Sequence, residues 1–265
     1  MNKSKEKWND GNPYEYFMGR WSKLMAPRFL DWLNFPKKLK WLDIGCGTGV
    51  LGEAIYKYSE PAYLLSIDPS EGFLSKAKER LHGKGEFMLG NVSELPLDDQ
   101  IFDIVVSGLA LNFFPDLNSA LTEMKRVLKP NGTIASYVWD YSDRIDFLRY
   151  FWDAGVSLDP QSNSLDEGVR FPICNLDYLR EAFQNAGMYE LAVTKLDIIT
   201  VFKDFDDYWD PFLGGQGPAP GYLASLSREL KEELKINIKK KMPIESDGSI
   251  SLLARALAIR GKPDF

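Results

Sequence analysis

From residue 40 to residue 138, short apolar β-rich runs alternate with amphipathic stretches, and this rhythm limits the possible folds more than any other feature of the chain. Strands covered on both faces read as continuous apolar runs, and parallel strands need a helical crossover between them. The spacing predicts strands over 41–44, 63–67, 86–89, 101–107 and 133–138, each ending near a Gly, Asp or Asn that opens a loop. Between them, residues 117–128 place Leu117, Ala120, Leu121, Met124, Val127 and Leu128 on one stripe, and the turn Lys129-Pro130-Asn131-Gly132 ends the predicted helix. The fold class read from this pattern is α/β.

Beyond residue 138 the rhythm changes. An aromatic helix is expected over 145–156, then a polar loop over 161–168, an amphipathic helix over 176–185 ending at Gly187, and a returning strand over 189–202. The aromatic cluster Tyr208, Trp209 and Phe212, a Gly/Pro-rich loop over 214–221, a charged helix to Lys241 and a closing strand over 250–259 complete the chain. We expect one domain spanning 1–265, with an N-terminal helical segment 1–36, a core 37–140, and insertions 141–172 and 203–247. The insertions carry Phe147, Tyr150, Phe151 and Trp152 beside the aromatic cluster, so they suit either an apolar acceptor pocket or a lid packed on the sheet.

With 38 acidic against 32 basic residues and a formal charge of -6, the chain is a poor counter-surface for phosphates or an anionic membrane. The expected partner is a small molecule, without nucleic acid or membrane, and the expected assembly is a monomer or homodimer. Lys239-Lys240-Lys241 reads as the cationic end of its helix, favourable to the helix dipole. Cys46 and Cys174 are the two cysteines, far apart in sequence, so neither a zinc site nor a redox pair is expected and the compartment reads as reducing and cytoplasmic. The lysine-rich start does not read as a signal peptide.

The most informative stretch is Leu42-Asp43-Ile44-Gly45-Cys46-Gly47-Thr48-Gly49, a strand end that runs into a glycine loop and a helix from about Val50. Glycines remove the Cβ atoms that would keep a ligand from the main chain, and the helix start offers N–H groups to a carboxylate or a phosphate. Gly47-Thr48-Gly49-Val50-Leu51-Gly52 also satisfies the pattern of dinucleotide-binding enzymes, so a nicotinamide-dependent oxidoreductase is the first alternative. Asp43 argues against it: a carboxylate there repels a diphosphate but suits a cationic amino group. Asp68 lies roughly 20 residues beyond the glycine loop, the spacing at which an acid meets ribose hydroxyls. Asn91 offers an amide to an adenine edge, and Val92 an apolar contact.

These residues resemble the class I S-adenosylmethionine-dependent methyltransferases of the small-molecule type, whose pattern Asp-x-Gly-x-Gly-x-Gly follows the first strand. The resemblance extends to Gly90-Asn91-Val92-Ser93-Glu94-Leu95-Pro96-Leu97, to Phe102-Asp103-Ile104-Val105-Val106-Ser107 and to Arg126-Val127-Leu128-Lys129-Pro130-Asn131-Gly132, covering about residues 8–140. It implies a Rossmann-like, doubly wound seven-stranded sheet, mostly parallel with the last strand antiparallel, and helical lid insertions. It also implies that Gly45, Cys46, Gly47 and Gly49 line the methionine moiety of S-adenosylmethionine while Asp43 holds its amino group. By the same resemblance Asp68 and Pro69 meet the ribose, Asn91 and Val92 flank adenine where the family often has Asp for Asn91, and Ser107 and Leu109 complete the site. Upstream, Tyr14, Tyr16 and Arg20 fall in a segment that resembles the one covering the cofactor in related enzymes, Arg20 suited to its carboxylate and Tyr14 or Tyr16 to its sulfonium, the alternative being a surface helix docked through Phe17 and Trp21.

An already activated methyl donor asks the protein mainly to align a nucleophile, and good alignment alone is worth about 7–11 kcal/mol. The absence of a His-Asp pair is therefore no objection. The single histidine, His82, reads as a loop residue. Tyr14, Asp140 and Tyr141 are the candidates for contact with the acceptor, with loop capping the alternative role of Asp140. The stretch after the fourth strand, Ser107-Gly108-Leu109-Ala110-Leu111-Asn112-Phe113-Phe114, lacks the Asn/Asp-Pro-Pro-aromatic motif of nucleobase amino-methyltransferases. A non-catalytic S-adenosylmethionine-binding protein is the second alternative.

Overall fold

The computed structural model describes residues 15–214 and 217–264. Seven strands form one sheet in the order β3-β2-β1-β4-β5-β7-β6. They are β1 (Lys40–Ile44), β2 (Tyr63–Asp68), β3 (Glu86–Leu89), β4 (Phe102–Gly108), β5 (Leu128–Trp139), β6 (Met188–Phe202) and β7 (Ile250–Pro263). β3, β2, β1, β4 and β5 pair in parallel, and β7 runs antiparallel to β5. This is the doubly wound α/β sheet expected from the sequence. The chain winds outward in opposite directions from β1 and β4, so a crevice opens at the carboxyl ends of these two strands, where α/β folds bind ligands.

The helices of eight residues or more are α1 (Arg20–Leu33), α2 (Val50–Ser59), α3 (Glu71–Arg80), α4 (Leu117–Arg126), α5 (Asp146–Leu158), α6 (Leu176–Asn185), α7 (Pro218–Ser225) and α8 (Arg228–Lys241). Among the described residues the chain divides by contact into two compact units, one of residues 22–139, 173–196 and 256–264, the other of residues 15–21, 140–172, 197–214 and 217–255.

In the larger unit β1, β2 and β4 are buried along almost their whole length. Helix starts are set locally: Ser70 caps α3 by accepting from the N–H of Phe73, Asp116 caps α4 by accepting from Asn118 and Ser119, and Asn175 caps α6 by accepting from Asp177. The turn Lys129-Pro130-Asn131-Gly132 is not a connection ahead of β5 but an irregularity within it. Pairing jumps from Phe102↔Leu128 to Ile104↔Thr133, Asn131 takes a left-handed φ of 68°, and α4 stops at Arg126 so that Leu128 can join the sheet.

The smaller unit is built on aromatic packing. Phe151 stacks on Phe212 at 4.7 Å, Phe17 meets Phe212 edge-on at 5.1 Å, and the Tyr208 hydroxyl donates to the carbonyl of Phe147 at 2.9 Å. The polar stretch expected as a loop over 161–168 is instead two short helices, Pro160–Leu165 and Glu167–Arg170, with Ser162, Asp166 and Glu167 buried. Asp166 and Glu167 are inside because they are bonded: Arg149 grips Asp166 with two N–H donors, and the Trp152 indole N–H donates to Glu167. Part of the expected loop 214–221 is also helical, since Pro218 starts α7, where its missing N–H costs nothing.

Candidate functional site

The loop after β1 folds back onto β2, with the N–H groups of Gly45 and Cys46 both donating to the Ile67 carbonyl, at 2.8 and 3.1 Å. Gly45, Gly47 and Gly49 all take positive φ, at 68°, 53° and 82°. Two of them are glycine for the protein's own sake. A Cβ on Gly45 would lie 2.7 Å from the Cβ of Ala110, and one on Gly49 would lie 2.9 Å from the Cα of Ala77. Gly47 differs: nothing in the protein lies within 4 Å of where its Cβ would stand. Its bare main chain faces open space, the property a close-lying ligand requires.

Two carboxyl groups flank this loop. Asp68, at the end of β2, accepts from the N–H groups of Gly47 and Ser70, both at 2.9 Å. Burial raises its pKa, and the two N–H bonds work the other way. Asp43 is 0% exposed and neither of its oxygens has a hydrogen-bond partner. Burial, with the charge of Asp68 adding to it, pushes its pKa up to about 7. An unpaired buried carboxyl is costly unless a bound group completes it, and the complement of a carboxylate is a cation with N–H donors. Burial and the charges of Asp43 and Asp68 raise the Cys46 thiol well above its ordinary value, which leaves it a packing residue and a poor nucleophile.

The next loops add to the same edge of the sheet. Asn91 is exposed, and its amide oxygen accepts from the N–H of Ser93 at 3.1 Å, which leaves the NH2 as the group facing outward bonding. Val92 is buried beside it. At the end of β4 the Ser107 hydroxyl is buried without a partner. Leu109 holds a left-handed φ of 60° while its N–H donates to Tyr137 at 2.7 Å. Non-glycine residues kept in that region store strain, and such strain concentrates at ligand sites.

Comparison with known proteins matches residues 42–136 to a family model described as a methyltransferase domain. This stretch belongs to the methyltransferase-domain family. A demethylmenaquinone methyltransferase of Bacillus subtilis is 36% identical over 110 residues, covering 38% of this chain and 46% of the relative. An uncharacterized methyltransferase of Schizosaccharomyces pombe is 34% identical over 113 residues, covering 38% of this chain and 41% of the relative. The chain thus spans less than half the length of these curated relatives. Among solved structures, a Haemonchus contortus phosphoethanolamine N-methyltransferase in complex with S-adenosyl-L-methionine aligns with a TM-score of 0.56 at 17% identity, over 99% of this chain and 59% of that one. A [4+2]-cyclase aligns with a TM-score of 0.51 at 17% identity, over 93% of this chain and 81% of that one. Likenesses this distant establish the class I methyltransferase fold and leave the reaction open.

The methyltransferase domain brings Asp43, the three loop glycines, Cys46, Asp68, Pro69, Asn91, Val92, Ser107 and Leu109 to the carboxyl ends of neighbouring strands. Gly52, the third glycine of the dinucleotide-type pattern, has only ordinary contacts around its would-be Cβ, the nearest at 3.4 Å, so no close helix–strand approach calls for glycine there. Arg20, Asp140 and Tyr141 belong to the smaller unit. Arg20 bonds Asp207 at 2.8 Å, with its guanidinium over the rings of Trp21 at 4.2 Å and Phe202 at 4.7 Å. Asp140 is buried, its N–H donating to the carbonyl of Arg255, and Tyr141 is buried beside Phe171. Tyr14 lies outside the described residues, and His82 is an exposed loop residue after α3. The sequence reading missed Ser66, a buried serine in the run Leu64-Leu65-Ser66-Ile67. A polar residue in an apolar strand, level with Asp43 across the sheet, was the available signal.

Proposed function

We propose that this chain is an S-adenosylmethionine-dependent methyltransferase that acts on a small molecule. The observation that carries the reading is Asp43, a wholly buried carboxyl with both oxygens unpaired, beside a glycine whose Cβ position is open. The ammonium end of an amino acid joined to a nucleoside fits that vacancy in bonding, and a dinucleotide diphosphate does not. S-adenosylmethionine, when bound, supplies a methyl group already activated by its sulfonium charge.

In this reading Asp43 receives the amino group, and the main chain at Gly45, Cys46, Gly47 and Gly49 lies along the methionine part. Asp68, whose oxygens keep further acceptor capacity beyond the two N–H bonds, takes the ribose hydroxyls, with Pro69 behind it. Asn91 donates from its NH2 to the adenine edge, Val92 covers one face, and Ser107 and Leu109 close the end nearest β4. Arg20, already paired with Asp207, is left out of this site. The acidic net charge and the family of residues 42–136 support a small-molecule acceptor, and the B. subtilis relative's name suggests a quinone precursor as the first to try. We further propose a cytoplasmic protein working as a monomer or homodimer; among the described residues no helix is long and apolar enough to cross a membrane.

The test is transfer of a labelled methyl from S-adenosylmethionine to a panel of phenol, thiol, amine and carboxylate acceptors that includes a demethylated quinol. The account expects time-dependent labelling of at least one acceptor. Tight cofactor binding with no labelling of any would indicate a binding protein without turnover.

A further inference from the structure

Asp43 sits between two strands whose register is fixed. Its neighbour on β2 is Ser66 and its neighbour on β4 is Val106. Residues level with one another on adjacent strands project to the same face of a sheet. Valine has nothing to donate, so Ser66 is the one strand neighbour able to offer Asp43 a hydrogen bond.

Ser66 is 1% exposed, and its hydroxyl, like both oxygens of Asp43, has no partner. That hydroxyl lies on the α2 side of the sheet, 3.6 Å from where a Cβ on Gly52 would stand. Two adjacent buried polar groups, one a donor and one an acceptor, are thus both unsatisfied. A rotation about the serine χ1 re-aims this hydroxyl without moving the backbone.

The other groups bearing on Asp43 do not help it to ionise. Asp68, from the end of β2, opposes its charge. The Cys46 thiol in the glycine loop stays neutral. On α2, Glu53 is half exposed and paired with Arg80. A carboxylate that is to receive a cation therefore needs a neutral donor close by, and Ser66 is in position to be that donor.

We propose that Ser66 is a positioning residue for Asp43, its hydroxyl donating to the carboxylate and holding it as the oriented anion that receives the cofactor's amino group. This rests on the reading of Asp43 given above. Nothing in the methyltransferase pattern of the glycine loop includes this serine.

The experiment is calorimetric titration of the full chain with S-adenosylhomocysteine from about pH 5.5 to about pH 8.5, a window in which the buried carboxyl titrates. Four proteins are compared: wild type, Ser66→Ala, Ser66→Thr and Asp43→Asn. Wild-type affinity should rise with pH to a plateau. Ser66→Ala should move the midpoint of that rise upward by about one pH unit, so that binding is roughly tenfold weaker near neutrality and approaches wild type at the alkaline end. Ser66→Thr, which keeps the hydroxyl, should restore the wild-type midpoint. At about pH 5.5, where Asp43 is neutral and the hydroxyl has no partner to lose, Ser66→Ala should melt at the wild-type temperature.

The proposal is overturned if Ser66→Ala follows the wild-type curve, or if it weakens binding by the same factor at every pH, as a packing defect would. Asp43→Asn separates this failure from that of the underlying reading. If it binds as wild type with the same pH dependence, Asp43 does not hold the ligand at all. If it loses both affinity and pH dependence while Ser66→Ala shifts nothing, only the role of Ser66 is wrong.

Discussion

Asp43 is held at a cost. Its pKa in the folded chain, about 7, lies above the ordinary 3.8, so the fold favours its neutral form. The stability this confers is present below the ordinary carboxylate range and is lost as pH rises toward the folded value, leaving a penalty at neutral and alkaline pH. Asp43→Asn removes the group that must ionise. Without ligand, the variant should be more stable than wild type by a few kcal/mol near pH 8, with the difference vanishing near pH 4, as measured by denaturant unfolding. Asp68→Ala deletes an acceptor that ties Gly47 to Ser70, and S-adenosylhomocysteine affinity should fall on the order of a hundredfold by calorimetry. Unchanged affinity would remove Asp68 from the site.

At the scale of elements, the glycine loop separates folding from binding. Gly49→Ala forces a Cβ to within 2.9 Å of the α3 backbone at a φ of 82°, and it should cost about 2–4 kcal/mol in stability. Gly47→Ala meets no atom within 4 Å, so it should cost about 1 kcal/mol and yet, on the proposed reading, sharply weaken S-adenosylhomocysteine binding. Equal stability losses in both variants would contradict this division. The loop was legible from sequence because glycine spacing beside Asp43 has few other uses, and strands β1, β2 and β4 were legible because runs buried on both faces are apolar throughout. Other parts were not. The pairing jump inside β5 depends on where Ile104 finds its partner across the sheet, and no local signal distinguishes that from a turn. The stretch 161–168 read as exposed because it is polar, but Asp166 and Glu167 are buried through partners on α5, fifteen or more residues away in sequence. Ser66 gave no periodic signal. Its significance comes from the strand beside it.

At the scale of the molecule, each compact unit contains a fully buried carboxyl with a raised pKa, Asp43 in the larger and Glu167 in the smaller, both about 7 and both raised chiefly by burial. Their contributions run in the same direction: stability present in mild acid is lost as pH climbs toward neutrality. The ligand-free chain should therefore melt several degrees higher near pH 5.5 than near pH 8, and the double variant Asp43→Asn with Glu167→Gln should flatten that slope. A slope unchanged in the double variant would assign the pH dependence to other groups. The fold itself is shared by proteins of different reaction, so the sheet alone does not name the activity. The proposed chemistry rests on one loop edge, where an unpaired carboxyl, an open glycine and an acceptor-rich second carboxyl meet. The most direct test of that edge is calorimetric titration of the wild-type chain with S-adenosylhomocysteine and, separately, with nicotinamide dinucleotide. The account predicts saturable one-site binding of S-adenosylhomocysteine that Asp43→Asn abolishes, and no binding of the dinucleotide; binding of the dinucleotide alone would contradict it.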